Sequence, residues 1–121
     1  MKLTLTIPKP PRELSPNARG HWGRKYKATA RYRDLVKVLA REVWNLPPMM
    51  RVTVRTTWHV PDRRRRDQDN ALASLKAAFD GLVDAGVIED DSGLTPEPVV
   101  FVVDKDAAAR PRGEIDLEIE A

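Results

Sequence analysis

The segment Arg51–Val60 constrains the fold most, because it alternates between two kinds of side chain over ten residues. One set comprises Val52, Val54, Thr56, Trp58 and Val60, and the other includes Arg51, Arg55 and His59. Successive side chains of a strand point to opposite faces, so this strand has one buried and one polar face. The buried face must pack against a second layer of structure. On this pattern His59 is a residue of the polar face rather than a metal ligand.

The remaining apolar periodicities predict two helices and three further strands. The helices are Thr29–Trp44 and Asp69–Ala85, and the further strands are Lys2–Ile7, Val99–Val103 and Glu114–Glu120. Gly86 follows the second helix at the position where glycine commonly ends one. We therefore predict a single α+β domain over residues 1–121, with two helices packed on a mixed or antiparallel sheet in the order β-α-β-α-β-β.

The charges of the chain divide sharply between its two halves. Residues 1–66 contain 17 Lys and Arg against 4 Asp and Glu, whereas residues 67–121 contain 4 against 14. The balances of +13 and −10 leave a net charge of only +3. A basic half of this strength indicates a nucleic-acid binder.

The composition also bears on the compartment. The chain contains no cysteine, which excludes disulfides and thiolate metal sites and fits a reducing cytosol. Its apolar runs are too short to span a membrane. The segment Met1–Pro8 alternates and lacks the continuous apolar core of a signal peptide. We expect a cytoplasmic protein without membrane contact.

The segment Asn17–Lys27 interleaves cations, aromatic residues and glycines, and we expect a mobile loop there. Its cations are suited to contact the phosphates of a nucleic-acid backbone. They are Arg19, Arg24, Lys25 and Lys27. Trp22 and Tyr26 have two alternatives, either stacking on unpaired bases or packing into the core.

The sequence Pro61–Asn70, PDRRRRDQDN, joins a cationic block directly to two aspartates. The arginines attract a polyanion, which the aspartates repel unless a cation lies between. Mg²⁺ is suited to that position, since it binds carboxylate oxygens and completes its shell with phosphate and water. This is the local chemistry of a metal-dependent phosphodiesterase. The alternative is a surface loop whose charges cancel.

Three blocks of the chain together resemble the RusA family of Holliday junction resolvases. They are PDRRRRDQDN, then KAAFDGL at Lys76–Leu82, then DAGVIEDD at Asp84–Asp91. The resemblance implies a homodimeric endonuclease of bacterial, phage or prophage origin that binds four-way DNA junctions. It would use Mg²⁺ or Mn²⁺ to cut two opposed strands.

Carried over residue by residue, the resemblance implies the site. Asp67, Asp69 and Asp91 would bind the metal, Lys76 would be a catalytic cation, and Arg63, Arg64, Arg65 and Arg66 would hold the junction backbone. In an extended segment, Asp67 and Asp69 would point the same way and share a cation. If Val87–Asp91 returns along the second helix, Asp91 would join them within one chain.

Three features of the predicted site leave alternatives open. Five residues separate Asn70 from Lys76, three more than most of the family has, which on a continuous helix moves the lysine by about 4.5 Å and 60°. Asp80 is either a fourth carboxylate of the site or a helix-surface residue. Asp90 would either serve the site of a partner subunit or orient the metal ligands of its own. The other candidate functions are a non-catalytic binder of structured nucleic acid and a nuclease that acts on forks and flaps.

Overall fold

The computed structural model describes all 121 residues and places the helices on one face of a five-stranded sheet. The strands are β1 (Lys2–Ile7), β2 (Val52–Val60), β3 (Leu94–Pro96), β4 (Val100–Val103) and β5 (Ile115–Glu120). The helices are α1 (Trp22–Val43), α2 (Gln68–Ser74) and α3 (Lys76–Asp84). Short 3-10 turns occupy Arg12–Leu14, Asp91–Gly93 and Ala107–Ala109. The predicted α+β class is confirmed, with β3 as an additional strand and the second helix in two parts.

The sheet is mixed, and β2 lies at its centre. Strand β5 pairs antiparallel with both β1 and β2, while β3 and β4 follow each other along the far side of β2, parallel to it. The register aligns the inward-facing Leu3, Ile119 and Val54 across three strands. The opposite face is polar, and His59 lies on it as predicted, with its Nε2 3.0 Å from Oδ2 of Asp116.

Helix α1 begins at Trp22, seven residues before the predicted start. The Nδ1 atom of His21 accepts a hydrogen bond from the backbone N–H of Gly23 at 3.1 Å and so caps the first turn. The expectation of a loop over the whole of residues 17–27 is therefore wrong for its second half. None of the three helices combines the length and apolarity needed to cross a membrane.

The predicted second helix is divided at Leu75. The hydroxyl of Ser74 donates to the carbonyl of Ala71, and the N–H of Leu75 donates to the carbonyl of Leu72, which tightens the last turn of α2. Leu75 is fully buried, so the break lies inside the core. Lys76 therefore starts a new helix instead of continuing the one that carries Asp69.

Helix α3 packs closely on α1 and ends where the sequence predicts. A Cβ atom on Gly81 would lie 2.6 Å from the carbonyl oxygen of Arg33, so the two helices touch through a glycine. At its end, Val87 N–H donates to Leu82 and Gly86 N–H donates to Val83, with Gly86 at φ +79°. This pair of backbone hydrogen bonds needs a residue in the left-handed backbone conformation, which explains the glycine.

Candidate metal and nucleic-acid site

The four arginines that follow β2 do not act as one group. The Arg66 guanidinium donates to the carbonyls of Asp62 and Arg64 at 3.0 and 2.8 Å, and to the Asp62 carboxylate at 3.0 Å. Arg64 donates to the same carboxylate from its backbone N–H and from its guanidinium. These bonds, led by that of the Arg64 N–H, lower the pKa of Asp62 to about 2. Asp62 thus organises two of the arginines internally.

Arg63 and Arg65 differ from these two. Both are exposed, and neither makes a hydrogen bond or ion pair within the chain. Only 21% of the Arg66 side chain is exposed. Arg63 and Arg65 are therefore the cations of this segment without a partner in the chain, whereas Arg66 is held against the protein surface. That Arg63–Arg66 hold the junction backbone stays a prediction, and within the run Arg63 and Arg65 are the two arginines without a partner.

The first two predicted metal ligands lie at the start of α2. Asp67 is the N-cap residue, and its Oδ1 accepts a hydrogen bond from the Asn70 N–H at 3.0 Å. Asp69 lies in the first helical turn, is exposed and has no partner. The assumption that both belong to an extended segment is wrong, because the helix begins at Gln68. Their carboxylates nevertheless share one end of a short helix.

Gln68, which the sequence reasoning passed over, fixes this helix to the sheet. Its side-chain amide accepts from the Val99 N–H at 2.8 Å and donates to the Val99 carbonyl. It thereby bonds the chain just before β4 as another strand would. The position of Asp67 and Asp69 relative to β4 depends on this contact.

Lys76, the predicted catalytic cation, is turned toward a different surface. Its Nζ lies 3.4 Å from Oδ1 of Asp80 in an i,i+4 pair, and the lysine side chain is 70% exposed. The two residues line a depression together with Lys25 and Thr29 of α1. Asp67 does not line that depression. Asp80 is thus the helix-surface partner of Lys76.

The two consecutive aspartates after α3 have different surroundings. The carboxylate of Asp90 accepts from the Ser92 hydroxyl at 2.7 Å and from the Asp91 N–H at 3.0 Å, and the Ser92 bond is the main reason for its lowered pKa. Asp91 is exposed, and its carboxylate has no partner. Of the two, Asp91 is the one available to an external cation.

One chain does not bring Asp91 to the start of α2. Ile88 pairs with Met49, but the next pair joins Leu94 to Val52, so six residues on one side match three on the other and the chain around Asp91 bulges out. No group of three or more Asp, Glu or His side chains is gathered for one metal ion. The expectation that Asp67, Asp69 and Asp91 cluster within one chain is not met.

The size of this separation follows from the register. Gly93 contacts the Met50 carbonyl, whereas Gln68 holds Val99, which precedes the pair of Val100 with Thr57. The points at which the bulge and the Gln68 side chain meet this edge of the sheet are therefore about six residues apart along β2, which is roughly 20 Å of strand.

A large basic depression of about 600 Å³ lies around the start of α1. Its cations are Arg12, Arg19, Arg24 and Lys25. Trp22 stacks on His21 with a centroid distance of 5.7 Å, and Trp22 and Tyr26 are 75% and 70% exposed. The two aromatic residues are therefore not part of the core. Lys27, also on this part of α1, is exposed and without an ion pair.

Sequence reasoning missed an aromatic pair beside Asp67. The rings of Trp58 and Phe101, which are register partners in β2 and β4, have centroids 5.9 Å apart. The guanidinium carbon of Arg66 lies 6.0 Å from the Phe101 ring centroid. Both residues fitted apolar strand patterns, and no local signal shows that β4 would pair with the end of β2.

Comparison with known proteins supports the resemblance over part of the chain. An uncharacterized protein of Xylella fastidiosa is 41% identical over 91 residues, which cover 72% of the chain and 60% of that protein. The crossover junction endodeoxyribonuclease RusA of Escherichia coli K12 is 41% identical over 70 residues, 57% of the chain and 56% of the relative. The RusA of Enterobacteria phage 82 is 40% identical over the same share.

The chain spans less than two thirds of the length of these relatives. No protein-family model matches it. Over somewhat more than half of its length, the chain is therefore similar to the crossover junction endodeoxyribonucleases of bacteria and their phages.

Proposed function

We propose that the chain is a structure-specific endodeoxyribonuclease of the RusA type, which binds four-way DNA junctions and resolves them by paired symmetric nicks. The observation that carries this proposal is the 41% identity to RusA over 70 residues. The unpaired cations agree with it, because Arg63 and Arg65 lie within four residues of Asp67 in the chain. Arg12 lines both the basic depression and the surface beside Asp67, so positive charge continues from one to the other.

The start of α2 fits a divalent cation by its donor chemistry. Asp69 is unpartnered, and Asp67 accepts one hydrogen bond, which leaves lone pairs free. Mg²⁺ needs only one or two protein carboxylates when substrate phosphate and water complete its shell, and Mn²⁺ accepts the same ligands. When bound, the ion would polarise the phosphate and activate a water molecule. The N–H of Asn70 orients the Asp67 carboxylate, and Gln68 holds the helix that carries both.

A homodimer is part of the proposal. Two symmetric cuts need two sites related by a twofold axis, and a 121-residue chain has a core that gains from a partner. In such a dimer, Asp91 of one copy can complete the site on α2 of the other.

Mixing two inactive variants tests this arrangement. If the site is shared, Asp69→Asn and Asp91→Asn are each inactive alone, but their heterodimer contains one intact site and nicks one strand. A mixture that stays inactive after subunit exchange, or a chain that sediments as a monomer at micromolar concentration, would contradict a shared site.

The second candidate is a binder of structured nucleic acid without turnover. It is favoured by the Lys76–Asp80 pair and by the separation of the three aspartates. Incubation with a mobile four-way junction, a fork and a linear duplex, each with Mg²⁺, Mn²⁺ or EDTA, separates the candidates. Paired nicks in the junction alone support the resolvase, cutting of the fork indicates a broader nuclease, and binding without nicks supports the second candidate.

A further inference from the structure

A depression of about 370 Å³ lies between the start of α2, the β2–β4 pair and the segment before the first 3-10 turn. Its lining includes two aromatic residues of the strands, three residues at the start of α2 and a lysine: Trp58, Phe101, Asp67, Asn70, Ala71 and Lys9. The volume falls within the range of small-molecule pockets. Trp58 lies on the inward-facing side of β2 but is only partly buried, so part of its ring is available.

We propose that this depression binds one unstacked nucleobase of the DNA. The proposal rests on the function proposed above and deepens it, because it assigns a base-binding site next to Asp67. The Trp58 ring would supply the stacking surface, and every base can stack on it because every base has a π-face.

Arg66 makes the pocket rigid and cationic. Its guanidinium lies over Phe101 and is held by two carbonyls and the Asp62 carboxylate, so its plane is fixed before a ligand arrives. A fixed guanidinium plane can stack on a base as well as on an aromatic side chain. Such a role accounts for the internal hydrogen bonds of Arg66, which Arg63 and Arg65 do not make.

Two polar groups in the pocket lack partners within the chain. The side-chain amide of Asn70 makes no hydrogen bond and offers both donors and an acceptor to a base edge. The amine of Lys9 makes no ion pair and suits the phosphate beside that base. Together with Arg66, these groups favour an anionic polymer with planar bases, such as DNA, over a cationic or aliphatic ligand.

The pocket would also contribute to structure specificity. Taking a base out of a duplex has a free-energy cost, which is smallest where the base is already unpaired. Branch points offer such bases, whereas a continuous duplex does not. A pocket that requires an unstacked base therefore selects branched DNA and gives a base preference beside the cut.

Photocrosslinking tests the proposal without cleavage. Four-way junctions carrying 5-iodouracil at single positions around the branch are bound in EDTA and irradiated, and the crosslinked peptides are identified by mass spectrometry. We expect one position to crosslink to Trp58 or Phe101. Trp58→Phe, which keeps a ring, should retain junction affinity, whereas Trp58→Leu should lose about 5- to 150-fold. Phe101→Leu provides a second variant if Trp58→Leu does not fold.

The outcomes separate this proposal from the function on which it rests. Crosslinks confined to other residues, with unchanged affinity of a folded Trp58→Leu, would overturn the pocket and leave junction binding intact. If the wild-type protein bound no junction, the proposed function would fail. The pocket would then be judged on a single-stranded 5-iodouracil oligonucleotide, where absence of a crosslink to Trp58 or Phe101 would overturn it too.

Discussion

Asp67 caps α2 and, in the proposed site, would also bind a metal ion, and substitutions can test each role. Its carboxylate caps α2 through a 3.0 Å bond to the Asn70 N–H, and in the proposed site it also binds a divalent cation. Asparagine caps a helix as well as aspartate does, but it lacks the charge. Asp67→Asn should therefore abolish junction cutting while the thermal stability stays close to that of the wild type.

Alanine removes both functions. Loss of an N-cap costs roughly 0.5–2 kcal/mol, typically about 1 kcal/mol. For a chain of this length, unfolding entropy scales such that about 1 kcal/mol lowers the melting temperature by about 4 °C. We expect Asp67→Ala to melt about that much below Asp67→Asn, with both variants inactive.

The assay combines thermal unfolding followed by circular dichroism in EDTA with junction cleavage in Mg²⁺. Asp69→Asn is the matched control, because Asp69 is in the same turn but accepts no hydrogen bond. It should be inactive and of nearly unchanged stability. Equal melting of the two Asp67 variants would refute the capping argument, and near wild-type cleavage by Asp67→Asn would refute its role as a ligand.

Three further predictions follow from contacts elsewhere in the chain. Replacing both Arg63 and Arg65 by glutamine should flatten the dependence of log affinity on log salt by about 0.9 per lost phosphate contact. Arg64→Gln should flatten it by less per substitution. A double variant with the same slope as the wild type would place the DNA elsewhere. Hydrogen bonds from Arg33 of α1 are the main reason that the pKa of Asp84 is lowered, so Asp84 stabilises the fold above its unfolded pKa near 4 and loses this contribution as pH falls through the lower folded value. Asp84→Asn should therefore weaken the dependence of stability on pH in that range, and an unchanged pH profile would contradict the pairing. Gly81→Ala should destabilise the chain by about 1–3 kcal/mol in urea unfolding, because its Cβ would meet the α1 backbone, and a stabilising effect would contradict that contact.

The elements that sequence reasoning located well are those with a periodic pattern and one buried face. Strand β1 has the predicted bounds, and β2 and β5 each differ by one residue at their start. A strand with one buried face repeats every second residue, so a wrong register would expose its whole apolar set. Gly86 ends the second helical region for an equally local reason.

The missed boundaries have causes that are not periodic. The glycines and the aromatic residues around Trp22 favoured a loop, but the His21 side chain caps a helix there. The break at Leu75 has no glycine or proline to announce it, and it coincides with a hydrogen bond from the Ser74 hydroxyl to the Ala71 carbonyl. Strand β3 is three residues long and ends at Pro96, too short for an alternation to show.

The candidate site shows the same limit. Residue types and order pointed to the aspartates and arginines, but the partner of each group depends on backbone geometry. Asp62 accepts hydrogen bonds from Arg64 and Arg66, which leaves Arg63 and Arg65 without a partner in the chain. A charge count treats these four arginines alike.

The position of Asp91 differs from the prediction that it joins Asp67 and Asp69 within one chain. Chain length from Gly86 allows a return to Asp69 only if residues 87–91 run straight, and the pairing of Ile88 with Met49 starts such a course. Between Ile88 and Leu94 the chain then advances six residues against three on the side of β2, so the residues around Asp91 bulge out instead of running straight. If Asp91 is a metal ligand, as proposed, its exposed and unpartnered carboxylate would serve a site other than that on α2 of its own chain. In the proposed resolvase, a second copy of the chain would be the partner that makes both the bulge and the free carboxylate part of one site.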